Sequence, residues 1–265
     1  MAQPGSALAW GARGRRFESY YTDHISNTVL RFILIVFATC LALNAQGQPS
    51  VQNQADTMTK RMQACTTCHG AQGVTSNQAY FPRIAGKPEG YLFNQLQNFK
   101  EGRRHYGLMV GMVEHLSDAY LLEMAQYFAG LDVPYAPPAP LKTAASATTL
   151  QLGKTLALQG DKTRHLAACT SCHGTALMGV LPSTPALLGL PRDYLVAQLG
   201  AWQTGLRKAH APDCMGRIAK VLRPSDIDAV SNWLATQPVS AFAKPTSKPA
   251  TSLTQDVSEQ CGGAK

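Results

Sequence analysis

Apolar residues recur at helical spacing in two stretches of the chain, one in each half. In the first stretch the apolar positions are Tyr91, Leu92, Leu96 and Phe99. Positions three or four residues apart share one face of an α-helix, so this pattern predicts a helix over residues 91–100 that packs on a core. The equivalent pattern predicts a helix over 194–203. A glycine follows each, Gly102 or Gly205, as is typical of a helix C-terminus.

Each half also predicts an earlier and a later helix. The earlier helices are expected over residues 54–64 and 150–158. The later ones are expected to begin at Ser117 and Ser225, since serine is a favoured N-cap residue and acidic residues follow both positions. Alternation of apolar and polar residues, the pattern of a half-buried strand, is absent. The predicted fold class is therefore all-α.

The second half of the chain repeats the first. Pro82–Gly86 matches Pro185–Gly189, and the segment from Tyr91 matches that from Tyr194, with a constant offset of 103 residues. Such self-similarity predicts one fold present in two copies. The predicted organisation is an N-terminal segment (1–47), a first domain (48–132), a proline-rich linker (133–148), a second domain (149–238) and an extended tail (239–265).

The pentapeptide Cys-x-x-Cys-His occurs once in each half, at Cys65–His69 and Cys169–His173, and a glycine follows both copies. This is the attachment sequence of c-type haem, in which two thiols bond to the porphyrin and the histidine binds the iron. Two copies in similar surroundings predict two covalently attached haem c groups. The predicted cofactor-binding residues are Cys65, Cys68, His69, Cys169, Cys172 and His173.

Two other chemistries use paired cysteines. A zinc site needs four ligands, and neither copy has a second Cys-x-x-Cys or a His-x-x-x-His nearby, although the two copies could pool their thiols in one Cys₄ site. A thioredoxin-like redox pair should lie near a βαβ pattern, which the sequence does not show. Haem is the favoured interpretation, with zinc and thiol redox chemistry as the alternatives.

The iron of an electron-carrying haem usually binds His on one side and Met on the other. Met109 lies seven residues before Leu116, and Met215 lies seven residues before Leu222. No other two methionines match in this way, so Met109 and Met215 are the predicted sixth ligands, in loops between the middle and last helices. The alternatives are Met112 in the first half and, near these loops, His105 and His210.

Pro82 and Pro185 occupy equivalent positions after the two motifs. A carbonyl nearby could accept the ring N–H of the axial histidine and orient the ring. A rigid turn is the alternative role for these prolines.

Cys214 and Cys261 lie outside the two motifs, in the second half and in the tail. Two spare thiols in an oxidising compartment favour a disulfide. A Cys214–Cys261 bond would tie the tail to the loop of Met215, and the alternative is two unpaired thiols.

Residues 32–43 form an apolar run after Arg31, and Ala45-Gln46-Gly47 follows the small-x-small pattern of a cleavage site, so residues 1–47 are interpreted as a secretory signal peptide. The run is shorter than the roughly 20 residues that span a bilayer, and an uncleaved anchor is the alternative. Residues 1–28 are atypical of such a segment and are interpreted as an extension before a true start near Val29 or Leu30. Export agrees with the haem motif, because c-type haem is attached outside the bacterial cytoplasm.

The chain carries 24 Lys and Arg against 16 Asp and Glu. Residues 48–132 hold seven basic and seven acidic side chains, whereas residues 149–240 hold nine basic and five acidic ones. The excess in the second half would steer acidic partners towards it, with plain solubility as the alternative. The basic residues are scattered, which argues against nucleic-acid binding.

Residues 55–236 resemble the dihaem cytochrome c4 family. The resemblance rests on Cys65–Gly70, Phe81–Gly86, Tyr91–Leu96, Met109–Met112 with Leu116–Asp118, and their counterparts in the second half. It implies two tandem cytochrome c domains in pseudo-twofold contact, His/Met ligation, and a periplasmic location, often at the outer face of the inner membrane. The implied partners are redox proteins: a dehydrogenase or bc1-type donor and a terminal oxidase as acceptor. Cys214, Cys261 and the proline-rich linker depart from the family pattern and leave the partner open.

The predicted function is one-electron transfer by a carrier, with no catalytic residues expected. One alternative is a dihaem cytochrome subunit of a dehydrogenase complex. Another is a dihaem redox enzyme, such as a peroxidase or a thiosulfate dehydrogenase. Such an enzyme needs a haem with an open or displaceable ligand, and the matching Met109 and Met215 argue against it.

Overall fold

The structure, a computed structural model, describes residues 56–74, 80–141, 143–247 and 261–262. The predicted signal peptide, residues 48–55 of the predicted first domain and most of the tail beyond 247 lie outside the described residues. All described residues belong to one compact unit. Among them, no helix is both long enough and apolar enough to cross a bilayer.

The described residues are helical or irregular, with isolated β-bridges and no strand, as the predicted all-α class requires. The helices of the first half are α1 (Met58–Arg61), α2 (Gln63–His69), α3 (Glu89–Lys100), α4 (Gly107–Val113) and α5 (Asp118–Ala129). Those of the second half are α6 (Ala147–Gln159), α7 (Thr170–His173), α8 (Arg192–Gln203), α9 (Cys214–Val221) and α10 (Pro224–Thr236).

The predicted middle helices are present as α3 and α8, each beginning two residues early, directly after Pro88 or Pro191. The helix predicted over 150–158 lies within α6, which begins inside the predicted linker because the Ser146 hydroxyl caps it. The helix predicted over 54–64 is divided at Met62 into α1 and α2, and α2 continues through the first motif.

Two predictions were wrong. Ser117 caps α5 by accepting the backbone N–H of Tyr120, as expected, but Ser225 lies inside α10. That helix begins at Pro224, because proline suits the first helical position. The segments that carry Met109 and Met215 are the short helices α4 and α9, and not loops.

Each half has its own apolar core. In the first half Met62, Phe99, Leu121 and Phe128 pack together between α3 and α5. In the second half α6 and α10 cross so closely that a Cβ atom on Gly153 would lie 2.1 Å from the carbonyl oxygen of Ala229. The two cores therefore follow the duplicated apolar pattern.

The halves meet across a symmetric cluster of polar side chains, which we call the seam: Gln95, Arg104, Gln198 and Arg207. The side-chain oxygen of Gln95 accepts from Arg104 (2.9 Å) and from Arg207 (2.9 Å), and that of Gln198 accepts from Arg104 (2.7 Å) and from Arg207 (2.8 Å). Both arginines are buried. Burial, together with the neighbouring Arg104, lowers the pKa of Arg207.

Aromatic rings complete the seam. The guanidinium of Arg104 lies 4.5 Å from the centre of the Phe99 ring, and that of Arg207 lies 3.8 Å from the Trp202 ring. Cation–π contacts of this kind stabilise desolvated arginines. A backbone bond from the His105 N–H to the Leu206 carbonyl (2.8 Å) joins the two halves at the same place.

The linker and the described part of the tail are bound to the surface of both halves. Arg83 donates to the carbonyls of Val133 and Pro134 and stacks on the Tyr135 ring. Tyr135 in turn donates its backbone N–H to Ala241 (2.7 Å). The tail up to residue 247 turns at residues 241–242 and is held in place by backbone hydrogen bonds.

Candidate functional site

The histidines of both motifs are buried at the ends of short helices. His69 ends α2 and is 8% exposed, and His173 ends α7 and is 6% exposed. The glycines that follow, Gly70 and Gly174, have φ of 79° and 81°. Only glycine adopts this backbone region without steric cost, which explains why glycine follows the motif in both copies.

Each buried ring is oriented by one hydrogen bond. Nδ1 of His69 lies 2.8 Å from the Pro82 carbonyl oxygen, and Nδ1 of His173 lies 2.7 Å from that of Pro185. A carbonyl only accepts, so Nδ1 carries the proton and Nε2 keeps a free lone pair. The predicted orienting role of these two carbonyls is confirmed.

Burial also keeps both rings neutral. It lowers the pKa of His69 and of His173, against the opposing effect of the carbonyl hydrogen bonds. A neutral imidazole with a free Nε2 is the form that binds a metal ion. The two histidines are therefore prepared as ligands.

The motif cysteines lie beside the histidines and are not joined in disulfides. Burial raises the pKa of the Cys169 thiol to about 11 and raises that of Cys65 and of Cys172. A thiol–disulfide redox pair needs a lowered thiol pKa, so the structure disfavours the thioredoxin-like interpretation.

The described residues give no support to the zinc alternative. Within the described ranges, no group of three or more His, Cys, Asp or Glu side chains could hold a metal ion. The thiols of the two motifs therefore do not meet in one Cys₄ site. The donor set of each motif, two thiols and one imidazole, fits attachment and ligation of haem c.

The candidate sixth ligands differ in burial. Met109 is half-buried against the core of the first half, and Met215 is half-buried on α9, whereas Met112 is 47% exposed. His105 is exposed, and Nε2 of His210 accepts a hydrogen bond from Arg103 (2.8 Å). Burial therefore favours the predicted Met109 and Met215 over Met112 and His105, whereas the half-buried His210 is disfavoured because its Nε2 already accepts from Arg103.

The predicted Cys214–Cys261 disulfide is present in the structure, with the two Cα atoms 5.7 Å apart. The next residue, Gly262, donates its backbone N–H to the Pro212 carbonyl (3.1 Å). The end of the tail thus lies against the start of α9, one residue from Met215.

Sequence reasoning missed the seam and a buried lysine. Arg104 and Arg207 share the 103-residue offset of the repeat, as do Gln95 and Gln198, so the alignment of the halves contained a signal that the motifs did not. Lys87 is only 5% exposed, and burial lowers its pKa to about 8. The repeat places the apolar Leu190 at the equivalent position, so this charge belongs to the first half alone.

No family model matches the chain. Individual known proteins, however, are similar to it. The "Thiosulfate dehydrogenase electron acceptor" of Thiomonas intermedia is 38% identical over 185 residues, which cover 70% of this chain and 83% of that protein. The cytochrome c4 of Azotobacter vinelandii is 30% identical over 205 residues, 73% of this chain and 94% of that protein.

Solved structures agree. The reduced cytochrome c4 of Pseudomonas stutzeri is similar with a TM-score of 0.56 and 31% identity, covering 67% of this chain and 95% of that one. The similarity spans nearly all of the known protein. The chain therefore belongs to the dihaem cytochrome c4 family and is an electron-transfer protein with two covalently bound haem c groups.

Proposed function

We propose that His69 with Met109, and His173 with Met215, would bind the irons of the two haems. Thioether bonds from Cys65 and Cys68, and from Cys169 and Cys172, attach them. Each bound haem supplies an iron that accepts and releases one electron. The hydrogen bond from each buried histidine to a proline carbonyl carries this proposal, because it leaves Nε2 free in both halves.

The protein's own groups set the properties of each site. The Pro82 and Pro185 carbonyls fix the imidazole rings and raise their basicity through the Nδ1–H bond. The thioethers of Met109 and Met215 would favour the reduced iron and would leave it no open site for small ligands. The arrangement suits outer-sphere electron transfer and needs no general acid or base.

Substitution of each methionine tests the ligand assignment. Met109→Ala and Met215→Ala should each remove about half of the weak near-infrared band that marks Met–Fe(III) ligation, and should lower the reduction potential of one haem. Met112→Ala is the matched control and should leave the band intact. An unchanged band in Met109→Ala, or its loss in Met112→Ala, would show that the assignment in the first half is wrong.

We also propose that the electron donor is a thiosulfate-oxidising dehydrogenase. The support is the relative at 38% identity whose name makes it the electron acceptor of such an enzyme. Joining two thiosulfate ions through a new S–S bond releases two electrons, and one molecule of this protein with its two haems would accept both. The protein then passes single electrons onward, and a terminal oxidase is the acceptor that the family suggests.

A reconstituted assay tests the donor. The oxidised cytochrome is mixed with purified thiosulfate dehydrogenase, and haem reduction is followed by absorption after thiosulfate is added. We expect reduction of both haems only when the enzyme is present. Reduction by thiosulfate without the dehydrogenase would favour a catalytic role for the cytochrome itself, and no reduction with the enzyme present would exclude this donor.

We place the protein in the periplasm. Two features support this location: haem attachment to Cys-x-x-Cys-His outside the cytoplasm, and the signal-like segment at residues 1–47. Osmotic-shock fractionation should release the haem-stained protein with periplasmic markers. Retention with washed membranes would point to an anchored form.

A further inference from the structure

We infer that the outer side of α9 is a docking surface for an acidic redox protein. We define this surface, the α9 cationic face, by Arg217, Lys220 and Arg223, all of which are exposed. The inference rests on the proposed function, because α9 also carries Met215, the assigned ligand of the second haem. A partner bound here would lie on the helix that carries Met215.

The helix presents its charges on one side. Gly216 and Ala219 are buried, whereas Arg217 and Lys220 point outward. Residues three apart are neighbours on a helix surface, and Arg223 lies two residues beyond Val221, the last residue of the helix. Nη2 of Arg217 lies 3.4 Å from Sγ of Cys214, so the disulfide that fixes the start of α9 also lies beside the charge.

The acidic residues of the second half do not neutralise this face. Arg164 forms ion pairs with Asp161 (2.7 Å) and Asp226 (2.6 Å). Arg192 forms ion pairs with Asp193 (3.0 Å) and Asp228 (2.5 Å). The fifth acidic residue, Asp213, accepts the backbone N–H of Gly216 (2.8 Å) as the cap of α9. In the part of the chain that the structure describes, no carboxylate forms an ion pair with the α9 cationic face.

The equivalent helix of the first half has the opposite character. α4 contains no charged residue, and it exposes Leu108 (65%) and Met112 (47%). The charge is therefore a property of one end of the molecule. Opposite charge on a partner would raise the association rate at that end and orient the encounter.

A protein partner fits this face better than a lipid surface. Helices that lie in a membrane interface combine basic residues with large exposed apolar residues such as Trp, Phe and Leu. The exposed side of α9 carries Arg217 and Lys220, and the large exposed apolar residues of the described chain lie outside this helix. An acidic docking patch on a redox protein needs only the cations.

Two variants that each lose two positive charges test whether the α9 cationic face binds a partner. Arg217→Gln/Lys220→Gln removes two charges from α9, and Lys154→Gln/Lys162→Gln removes two exposed charges elsewhere in the second half. The probe is an oxidised copper protein of the plastocyanin class with an acidic docking surface. Stopped-flow absorption follows the oxidation of the reduced, full-length holocytochrome. The near-infrared band of the unsubstituted protein is recorded first, and its absence there would refute the ligand assignment rather than the docking surface.

We expect the α9 variant to react roughly tenfold more slowly at low ionic strength. The control variant should change less than about twofold, and all rates should converge at about 0.5 M salt, where screening is strong. Equal slowing of both variants would show that net charge alone acts, and no slowing of either would show that partners dock elsewhere. The α9 variant could instead lose binding to phosphatidylglycerol vesicles while its rate with the copper protein stays unchanged. That result would assign the face to a membrane and overturn the proposal.

Discussion

Gln95 is the residue whose removal best tests how the two halves are joined. Its side-chain oxygen is the shared acceptor for Arg104 and Arg207, at 2.9 Å each. Both arginine residues are buried, at 9% and 5% exposure. A hydrogen bond to a charged group contributes about 1.5–3 kcal/mol. Gln95→Ala removes two of them while Gln198 still binds both arginines, so we expect the free energy of unfolding to fall by about 3 kcal/mol.

Urea unfolding of the holoprotein, followed by far-UV circular dichroism, measures this change. Gln151→Ala is the matched control, because Gln151 is exposed on α6 and its amide reaches only the Thr155 hydroxyl at 3.5 Å. The control should change stability by less than about 0.5 kcal/mol. Weakening of the seam should also separate the unfolding of the halves into two transitions. A Gln95→Ala protein as stable as the control, with one transition, would refute the reasoning.

Three further predictions concern stability. Gly153→Ala should lower the free energy of unfolding by about 3 kcal/mol, because the new Cβ would lie 2.1 Å from a carbonyl oxygen. Gly200→Ala, at an open position of α8, should raise it by up to about 1 kcal/mol. Thermal melts that reverse this order would contradict the packing. Burial lowers the pKa of Lys87 from 10.5 to about 8, so between these pH values the unfolded chain binds more protons than the folded one. The free energy of unfolding should therefore rise with pH across that window, by about 3 kcal/mol relative to Lys87→Met. Parallel pH curves of unfolding free energy for the two proteins would refute this. Cys214→Ser removes a cross-link between residues with a sequence separation of 47 and should lower the free energy of unfolding by about 4 kcal/mol. A reductant should destabilise the wild type and leave the variant unchanged. Equal effects of the reductant on both proteins would exclude the disulfide.

The sequence predicted the features that depend on local pattern or on covalent chemistry. The middle helices followed from apolar spacing, and the histidine-to-carbonyl bonds followed from the prolines placed equally after each motif. α4 and α9 were missed because they are short, and glycines such as Gly107 and Gly216 weaken a helical signal. The start of α10 was misplaced because a serine was preferred to the proline before it.

The seam could not be predicted from periodicity. Arg104 and Arg207 lie in segments that the motifs do not mark, and arginine is usually exposed. Their burial depends on contacts between residues about a hundred positions apart, such as the bond from Arg104 to Gln198. Only the three-dimensional arrangement shows that each cation finds its acceptors in both copies of the repeat.

The matched pairs across the seam bear on how such a protein arose. Each half contributes one arginine and one glutamine at equivalent positions, and each arginine binds both glutamines. This is the self-complementarity of an isologous dimer. An ancestor with a single haem and one Arg–Gln pair would already have possessed a complete homodimer interface, and gene fusion would have added only the tether. Later divergence could then give the two ends different charges, and so different partners, without disturbing the contact that joins the two halves.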